Sequence, residues 1–319
     1  MKKTEIAALL YDKVKHLTET TWRERGQTLT QIEAWVSQFQ AAPNLLDDEQ
    51  MHALYLLSNF TYFGQVEIRA LMVSLFRDLF RTPVVHSIRR KHGGTSDVGF
   101  LNSTFEDELG KTRFLGVGNP SESGSHLLYY FRQENDLHKS SFIHSHQVFA
   151  RSAAGNASPI RLRDEAIKHY VFIDDLCGSG TQAEEYSRDI VDPIKSLKPD
   201  AEVHYLVLFA TVQGLAAVRG LSRYDHVAAV FELDESFKSL DPASRIFSGK
   251  DGRFDRMKVR ATCEKYGSQL WAPHPLGYKD GQLLMGFNHN TPDNTLPLFW
   301  RDAEYPIHWE AMFRRYHKK

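Results

Sequence analysis

The chain has 319 residues and a mass of 36.6 kDa, more than one hydrophobic core usually holds, so we expect one large domain with added segments or two domains. Its 42% hydrophobic, 12% aromatic and 25% charged residues exclude fibrous and disordered classes of protein. The 39 basic and 40 acidic side chains balance, so the overall charge does not attract nucleic acid or an anionic membrane, and any anion-binding site must be local.

Residues 1–95 show the apolar periodicity of helices. Apolar side chains recur at spacings of three and four residues, for example at Ile32, Trp35 and Val36. Thr30 and Glu33 fit a capping box at the start of that stretch. No chemical motif occurs in this region. We therefore predict an all-helical N-terminal segment that packs on the rest of the chain or on a partner.

From about residue 112, strand and helix patterns alternate along the chain. The predicted strands cover residues 114–118, 141–149, 169–173, 203–210 and 227–233. Alternation at these lengths implies right-handed crossovers, and therefore an α/β fold with a mostly parallel sheet. Ligands of such sheets bind at the carboxyl ends of the strands, where the loops after residues 118 and 173 are expected to lie.

The last part of the chain differs in composition from the predicted sheet region. It is rich in Trp, Tyr, Pro, Asn and His, and it contains the dense polar run 288–295. We therefore predict three parts: a helical segment at residues 1–95, an α/β domain at 96–235, and an irregular C-terminal tail at 236–319 that packs on the α/β domain.

One segment, VFIDDLCGSGT at residues 171–181, points to a specific chemistry. Asp174 and Asp175 follow an apolar strand, and Ser179 and Thr181 flank a glycine where the next helix opens. Backbone N–H groups and hydroxyls at such a helix start can surround a phosphate, and glycine permits the close approach. Two carboxylates nearby would repel the phosphate itself. They suit ribose hydroxyls, or a magnesium ion carried by a diphosphate.

This arrangement resembles the phosphoribosyl-diphosphate signature of type I phosphoribosyltransferases, in which a hydrophobic strand leads to two acidic residues, three variable residues and a small-residue turn. The resemblance covers about residues 112–235. It implies that Asp174 and Asp175 are the catalytic pair, contacting the ribose hydroxyls and Mg²⁺. It also implies that the 5′-phosphate turn and the residues leading to it bind the substrate: Leu176, Cys177, Gly178, Ser179, Gly180 and Thr181.

The same resemblance assigns residues 119–125 to the loop that faces the departing pyrophosphate. The substrate-binding residues implied there are Glu122, Ser123, Gly124 and Ser125. This loop departs from the family pattern because it has no basic residue and contains an acidic one. Backbone N–H groups, magnesium or an arginine from elsewhere would have to meet the pyrophosphate charge. The candidate arginines are Arg89, Arg90, Arg151 and Arg161.

The C-terminal segments at residues 277–282 and 287–300 are similar to the C-terminal block of phosphoribosyltransferase-like proteins from bacterial conflict and antiphage systems, including some retron operons. This second resemblance implies that the tail forms a hood over the acceptor, where conventional enzymes of the fold recognise a base. It also implies a role as an antiphage effector.

Simpler interpretations stand beside these expectations. Asp174 or Asp175 alone could be a solvated helix-capping carboxylate, and residues 119–125 could be an ordinary turn from strand to helix. Neither interpretation explains the apolar run, the acidic pair and the Ser-Gly-Thr turn together. Cys177 could act as a nucleophile, although a small filling residue suits its position better.

The histidines indicate no definite metal site. His144 and His146 share one face of the predicted strand at residues 141–149, but spacing suggests no third ligand, which favours packing. Most of the 15 histidines are scattered singly, and a single histidine is usually a surface or hydrogen-bonded core residue.

The sequence also bears on location. No stretch approaches the roughly 18 apolar residues of a membrane span, and Glu5 interrupts the first apolar run before a signal core can form. The two cysteines are too few for a disulfide framework. We expect a cytoplasmic protein that does not contact a membrane.

Three functions fit these observations. The first is an enzyme that binds phosphoribosyl diphosphate with Mg²⁺ and transfers ribose phosphate to an unknown acceptor through an oxocarbenium-like transition state. The second is a sensor that binds a phosphorylated ribose without turnover. The third is an effector whose helical N-terminus docks a protein or ribonucleoprotein partner that restrains it. Members of this fold are often dimers, so a homodimer is open as the oligomeric state.

Overall fold

The structure is a computed structural model that describes residues 2–118, 123–151, 160–248 and 253–315. The chain forms two compact units. We call Met1–Ile68 together with Leu233–Lys319 the terminal unit, and Arg69–Glu232 the sheet unit. Within the described ranges, the helices are too short or too polar to cross a membrane.

The regular elements are defined here in chain order. The α-helices are α1 (Lys3–Glu19), α2 (Leu29–Ser37), α3 (Glu49–Ser58), α4 (Gln65–Phe76), α5 (Thr82–Lys91), α6 (Val98–Gly110), α7 (Ser123–Glu134), α8 (Thr181–Tyr186), α9 (Asp192–Leu197), α10 (Val212–Gly220), α11 (Arg256–Leu270) and α12 (Pro297–Trp300). The strands are β1 (Thr61–Phe63), β2 (Thr112–Gly116), β3 (Phe149–Arg151), β4 (Ile160–Leu162), β5 (His169–Cys177), β6 (Glu202–Thr211), β7 (His226–Leu233) and β8 (Met285–Phe287). π-helical segments join α4 to α5 (Arg77–Arg81) and α8 to α9 (Ser187–Val191).

The terminal unit has an aromatic core to which both ends of the chain contribute. Phe60 stacks on Phe313 with ring centroids 4.0 Å apart. The Trp35 indole N–H donates to the Leu298 carbonyl at 3.2 Å. β1 pairs in parallel with β8, so backbone hydrogen bonds also link the two ends. The first helices and the C-terminal tail therefore share one hydrophobic core.

The predicted capping box at Thr30 and Glu33 is wrong by half a turn. Thr28 is the N-cap of α2, and its side chain accepts a hydrogen bond from the Gln31 backbone N–H at 3.3 Å. The Gln31 side chain in turn accepts from the Thr28 N–H at 2.8 Å. The helix begins earlier because this reciprocal pair satisfies two backbone donors of the first turn.

The predicted division at residues 95 and 235 differs from the two units of the structure. α4 and α5 are joined through a helical segment whose Phe80 meets the rings of Phe105 and Phe114 in the sheet unit. The boundary therefore falls at residue 68, because these apolar side chains cover the sheet. Packing of the C-terminal tail on the α/β domain stays a prediction.

The sheet unit is built on strands in the order β2-β5-β6-β7. β5 pairs in parallel with β2 and with β6. The middle strands are buried along most of their length, which is typical of parallel strands covered on both faces. The prediction of a mostly parallel α/β fold preceded by helices is confirmed.

The strand predicted at residues 141–149 is largely absent. Two 3₁₀ turns, Lys139–Ser141 and Ser145–Gln147, replace it, and a single bridge pairs Phe142 with Phe114. The His144 N–H donates to the Gln147 side chain at 2.8 Å, and this local bond closes a turn instead of extending a strand. His144 and His146 are both exposed, and their rings stack with centroids 5.6 Å apart.

Candidate functional site

The acidic pair lies near the end of β5, but its two carboxylates have different surroundings. Asp174 is 4% exposed, whereas Asp175 is only partly buried. The two carboxylates nevertheless interact, because Asp175 is both a nearby charge and a side-chain hydrogen-bond partner of Asp174. The two residues therefore differ in burial while remaining neighbours.

Asp174 is held inside the sheet unit by hydrogen bonds. The Tyr205 hydroxyl, on the neighbouring strand β6, donates to Asp174 Oδ2 at 3.0 Å, and the Asp175 backbone N–H donates to Asp174 Oδ1 at 2.9 Å. Burial raises the pKa of Asp174 well above its ordinary value, and the nearby charge of Asp175 raises it further. Burial likewise raises the pKa of Tyr205 well above its ordinary value, so the phenol keeps its proton and stays a donor.

Asp175 is the more accessible carboxylate. Its Oδ1 accepts a hydrogen bond from the Leu176 backbone N–H at 2.8 Å, which fixes the side chain at the end of the strand. Leu176 is also partly buried and pairs with Phe209 in the ladder between β5 and β6. Of the two carboxylates, that of Asp175 is the more exposed at the carboxyl edge of the sheet.

The turn after β5 requires glycine at Gly180. Its φ is +78°, in the left-handed region that L side chains rarely adopt. A Cβ there would lie 3.2 Å from each of the Gly214 carbonyl oxygen, Ala217 Cβ and Val218 Cγ2. The hydroxyls of Ser179 and Thr181 lie 3.0 Å apart beside this turn, where α8 begins. The predicted turn therefore presents two hydroxyls around a position without a side chain.

The start of α10 packs against this turn and holds its backbone. The predictions from the sequence do not include this contact. Thr211 Oγ1 donates to the Gly178 carbonyl at 2.5 Å and accepts from the Gly214 N–H at 2.8 Å. A Cβ on Gly214 would lie 2.6 Å from the Gly178 oxygen. The signal in the sequence is a threonine at a strand end with a glycine three residues later. That pattern indicates a helix cap and close backbone packing.

Cys177 lies inside the sheet unit. It is 3% exposed, and burial raises the pKa of its thiol to about 12. This burial favours a small filling residue over a nucleophile, and a contact of Cys177 with substrate stays a prediction.

The predicted pyrophosphate loop is only partly described. Glu122 lies outside the described residues, and Ser123, Gly124 and Ser125 form the first turn of α7. The backbone before the loop is anchored beside the acidic pair, because the Val117 N–H donates to the Ile173 carbonyl at 3.0 Å. Val117 and Ile173, which precede the two predicted loops, therefore lie at the same edge of the sheet.

The four candidate arginines lie on three elements of the sheet unit. Arg89 and Arg90 are in the last turn of α5, where Arg89 Nε donates to the Gly94 carbonyl at 3.2 Å. Arg151 is on β3 and Arg161 is exposed on β4. A basic contact to pyrophosphate from any of them stays a prediction.

A parallel sheet whose central strand ends in an acidic pair and a glycine turn defines a phosphoribosyltransferase-like protein. The comparison with protein families agrees with this class. The PRTase-CE family matches residues 32–315, and the chain belongs to this family.

Solved structures similar to this chain include several phosphoribosyltransferases. The Helicobacter pylori xanthine-guanine-hypoxanthine phosphoribosyltransferase is 12% identical over 55% of this chain and 89% of its own, with a TM-score of 0.27. The orotate phosphoribosyltransferase from Aeropyrum pernix is 13% identical over 41% and 73%, with a TM-score of 0.25. The AQ2163 protein from Aquifex aeolicus is 11% identical over 65% and 86%, with a TM-score of 0.30. A search of curated proteins found no match. Because these TM-scores are low, the assignment rests on the family and on the geometry of the site.

Proposed function

We propose that this protein binds phosphoribosyl diphosphate together with Mg²⁺ and transfers the ribose phosphate to an acceptor. The observation that carries the proposal is the partly exposed Asp175 carboxylate, placed near the end of β5 and three residues before the glycine turn in a protein of the PRTase-CE family. The chemical class of the acceptor is open.

The turn at residues 178–181 is proposed to hold the 5′-phosphate. Gly180 leaves room for close approach, and the Ser179 and Thr181 hydroxyls, which are hydrogen-bonded to each other at 3.0 Å, lie beside it. Thr211 fixes the Gly178 carbonyl, so the turn is formed before the ligand arrives. A preformed turn reduces the cost of ordering the site on binding.

We propose that Asp174 and Asp175 have different roles. Asp175 contacts the ribose hydroxyls, because its carboxylate is accessible and ionised oxygens accept strong hydrogen bonds. Asp174 positions the backbone of Asp175, because it accepts the N–H of that residue and is itself held by Tyr205. The resemblance implied equal roles, and the geometry favours unequal ones.

The donor set at this edge fits magnesium. Mg²⁺ prefers oxygen ligands and is usually bound through one or two carboxylates plus the phosphates of the substrate, and Asp175 supplies an accessible carboxylate. Bound there, the ion would neutralise charge on the departing diphosphate. Since residues 119–125 contain no basic side chain, this neutralisation is needed all the more.

The proposed transfer is a substitution at the anomeric carbon of the ribose. The bond from that carbon to the diphosphate oxygen breaks, the diphosphate leaves with the electron pair, and the acceptor forms the new bond. The side chains described here position the ribose and its phosphate, and positioning of this kind lowers the entropic part of the barrier.

We also propose a cytoplasmic role in antiphage defence, in which a protein or ribonucleoprotein partner restrains the effector. The C-terminal resemblance at residues 277–282 and 287–300 supports this proposal. The helical start of the terminal unit, α1 to α3, is the proposed docking element. Co-purification of the tagged protein with a reverse transcriptase or a structured RNA would support it, and purification of the chain alone from its native host would contradict it.

Calorimetry with phosphoribosyl diphosphate and Mg²⁺ tests ligand binding. We expect saturable binding that the double variant Asp174→Asn with Asp175→Asn removes. Asp189→Asn is the matched control, because this exposed carboxylate lies in the same unit on a different element. Binding that persists unchanged in the double variant would contradict the proposal.

Pyrophosphate release then separates the enzyme from a sensor. We expect release with at least one member of a panel of nucleobases, nucleotides and structured RNA. Binding without release of pyrophosphate across that panel would favour a sensor of phosphorylated ribose. The absence of basic residues in loop 119–125 is the observation that supports this alternative.

A further inference from the structure

A cluster of histidine and glutamate side chains lies at the opposite edge of the sheet from the acidic pair. His169 begins β5, Glu202 begins β6, His204 follows two residues later, and His226 begins β7. Parallel strands place their amino ends at one edge, which brings these separate parts of the sequence together. The function proposed above uses none of these residues.

The ligating atoms of three of these residues are spaced as a metal ion requires. His169 Nδ1 lies 3.3 Å from His204 Nε2 and 3.6 Å from Glu202 Oε2, and His204 Nε2 lies 3.9 Å from Glu202 Oε2. A tetrahedral zinc ion with bonds of about 2.0 to 2.2 Å places its ligand atoms roughly 3.3 to 3.6 Å apart. Shifts of a few tenths of an ångström would complete the arrangement.

We propose that His169, Glu202 and His204 bind a Zn²⁺ ion. Two imidazole nitrogens and one carboxylate oxygen form a ligand set that zinc accepts, whereas magnesium prefers oxygen ligands alone. The proposed ion therefore differs in chemistry and in location from the Mg²⁺ proposed at the carboxyl edge of the sheet.

Neighbouring groups orient the first histidine toward this centre. His169 Nε2 lies 3.2 Å from Glu108 Oε2 on α6, so the imidazole carries its proton there and directs the Nδ1 lone pair at the cluster. Lys168 holds the other oxygen of Glu108 at 2.8 Å. A carboxylate behind a ligating histidine is the usual outer partner of a zinc site.

The two histidines of the proposed site are buried beside an aromatic ring. His169 and His204 are 4% and 3% exposed, and the Phe80 ring packs at 6.0 Å and 5.4 Å from their rings.

His226 borders the cluster on its solvent-exposed side. His226 stacks on His204 with ring centroids 4.5 Å apart, and its Nε2 lies 3.5 Å from Glu202 Oε2. Its side chain is 49% exposed, so water reaches this side. Three protein ligands and one position shared with solvent would tie the amino ends of β5 and β6 together.

Zinc titration of the full-length protein, after removal of metals with a chelator, tests the site. We expect one Zn²⁺ per chain in competition with a chromophoric chelator, and a rise in melting temperature that grows with free zinc. X-ray absorption at the zinc edge should show imidazole and oxygen ligands. Sulfur ligands, or no binding at an excess of about tenfold, would overturn the proposal.

Variants locate the bound ion. Glu202→Gln changes a side chain that is 39% exposed, so it should fold and bind zinc at least about tenfold more weakly. Glu108→Gln should weaken zinc binding by about tenfold, because the carboxylate of Glu108 orients the His169 ring. The matched control is the exposed pair His144→Ala with His146→Ala, which should bind as the wild type does. Unchanged affinity in Glu202→Gln, or loss in the control, would overturn the assignment.

Discussion

The Tyr205 hydroxyl donates a hydrogen bond of 3.0 Å to the buried carboxylate of Asp174. This contact joins β6 to β5 one residue before the accessible Asp175, and it distinguishes the roles of the two acidic residues. Asp174 belongs to the interior of the sheet unit, and Asp175 belongs to its carboxyl edge. The predictions below follow from that division and from the turn beside it.

Tyr205→Phe should destabilise the protein more than an ordinary lost hydrogen bond. Removing the hydroxyl leaves the buried Oδ2 of Asp174 without this donor, at a cost of about 1 to 3 kcal/mol in the free energy of unfolding. Tyr224→Phe is the control, because its hydroxyl donates at 3.0 Å to a neutral carbonyl, that of Ala183. Urea denaturation measures both variants, and equal losses would contradict a special role for the bond to Asp174.

Asp174 should make stability fall as pH rises. Its folded-state pKa lies above the unfolded value, so the folded state keeps a proton that the unfolded state releases. This contribution is absent below the ordinary Asp pKa of about 3.9 and becomes increasingly destabilising as pH rises from there through the folded-state pKa. Asp174→Asn should remove this part of the pH dependence in metal-free buffer. Parallel stability curves for the two proteins between acid and neutral pH would contradict the prediction.

Gly180→Ala should weaken both the fold and the ligand site. The left-handed backbone costs an alanine about 1 to 2 kcal/mol, and the new Cβ would press on the Gly214 carbonyl at 3.2 Å. Gly220→Ala in α10 is the control, since its Cβ would meet nothing within 4 Å. Thermal and chemical denaturation should show a loss at Gly180 and no loss at Gly220. A neutral effect at Gly180 would mean that the turn is not held in this conformation.

Thr211→Val should destabilise the turn at residues 178–181, because Thr211 holds the backbone of that turn. The variant removes the N-cap of α10 and the donor to the Gly178 carbonyl, at a cost of about 1 to 2 kcal/mol. Thr211→Ser keeps the hydroxyl and should restore most of the stability. Affinity for phosphoribosyl diphosphate should follow the same order. If serine and valine behave alike, the hydroxyl does not hold the turn.

The parallel sheet and the site segment could be predicted because their signals are local. The apolar run of β5, the two aspartates and the glycine turn lie within residues 169–181, and each part has a direct physical meaning. The burial of Asp174 required knowledge of Tyr205, which lies 31 residues away in sequence.

Other features depend on contacts between distant segments. Phe60 packs on Phe313, and β1 pairs with β8, so the terminal unit has no signature within any short window. His169, Glu202 and His204 stand on two strands and show no metal-ligand spacing in sequence. At His144, a hydrogen bond to the Gln147 side chain outweighed an alternating pattern that favoured a strand.

The different roles of Asp174 and Asp175 are tested most directly by calorimetry. The single variants Asp175→Asn and Asp174→Asn are each titrated with phosphoribosyl diphosphate and Mg²⁺, and their affinities are compared. Losing a charged hydrogen-bond acceptor at Asp175 should weaken binding at least about tenfold. Asp174→Asn keeps only one of the two acceptor oxygens, so it should weaken binding, but by less than Asp175→Asn does, because Asp174 acts through the position of Asp175 and not on the ligand. A larger loss at Asp174 than at Asp175, or no effect at Asp175, would contradict the account.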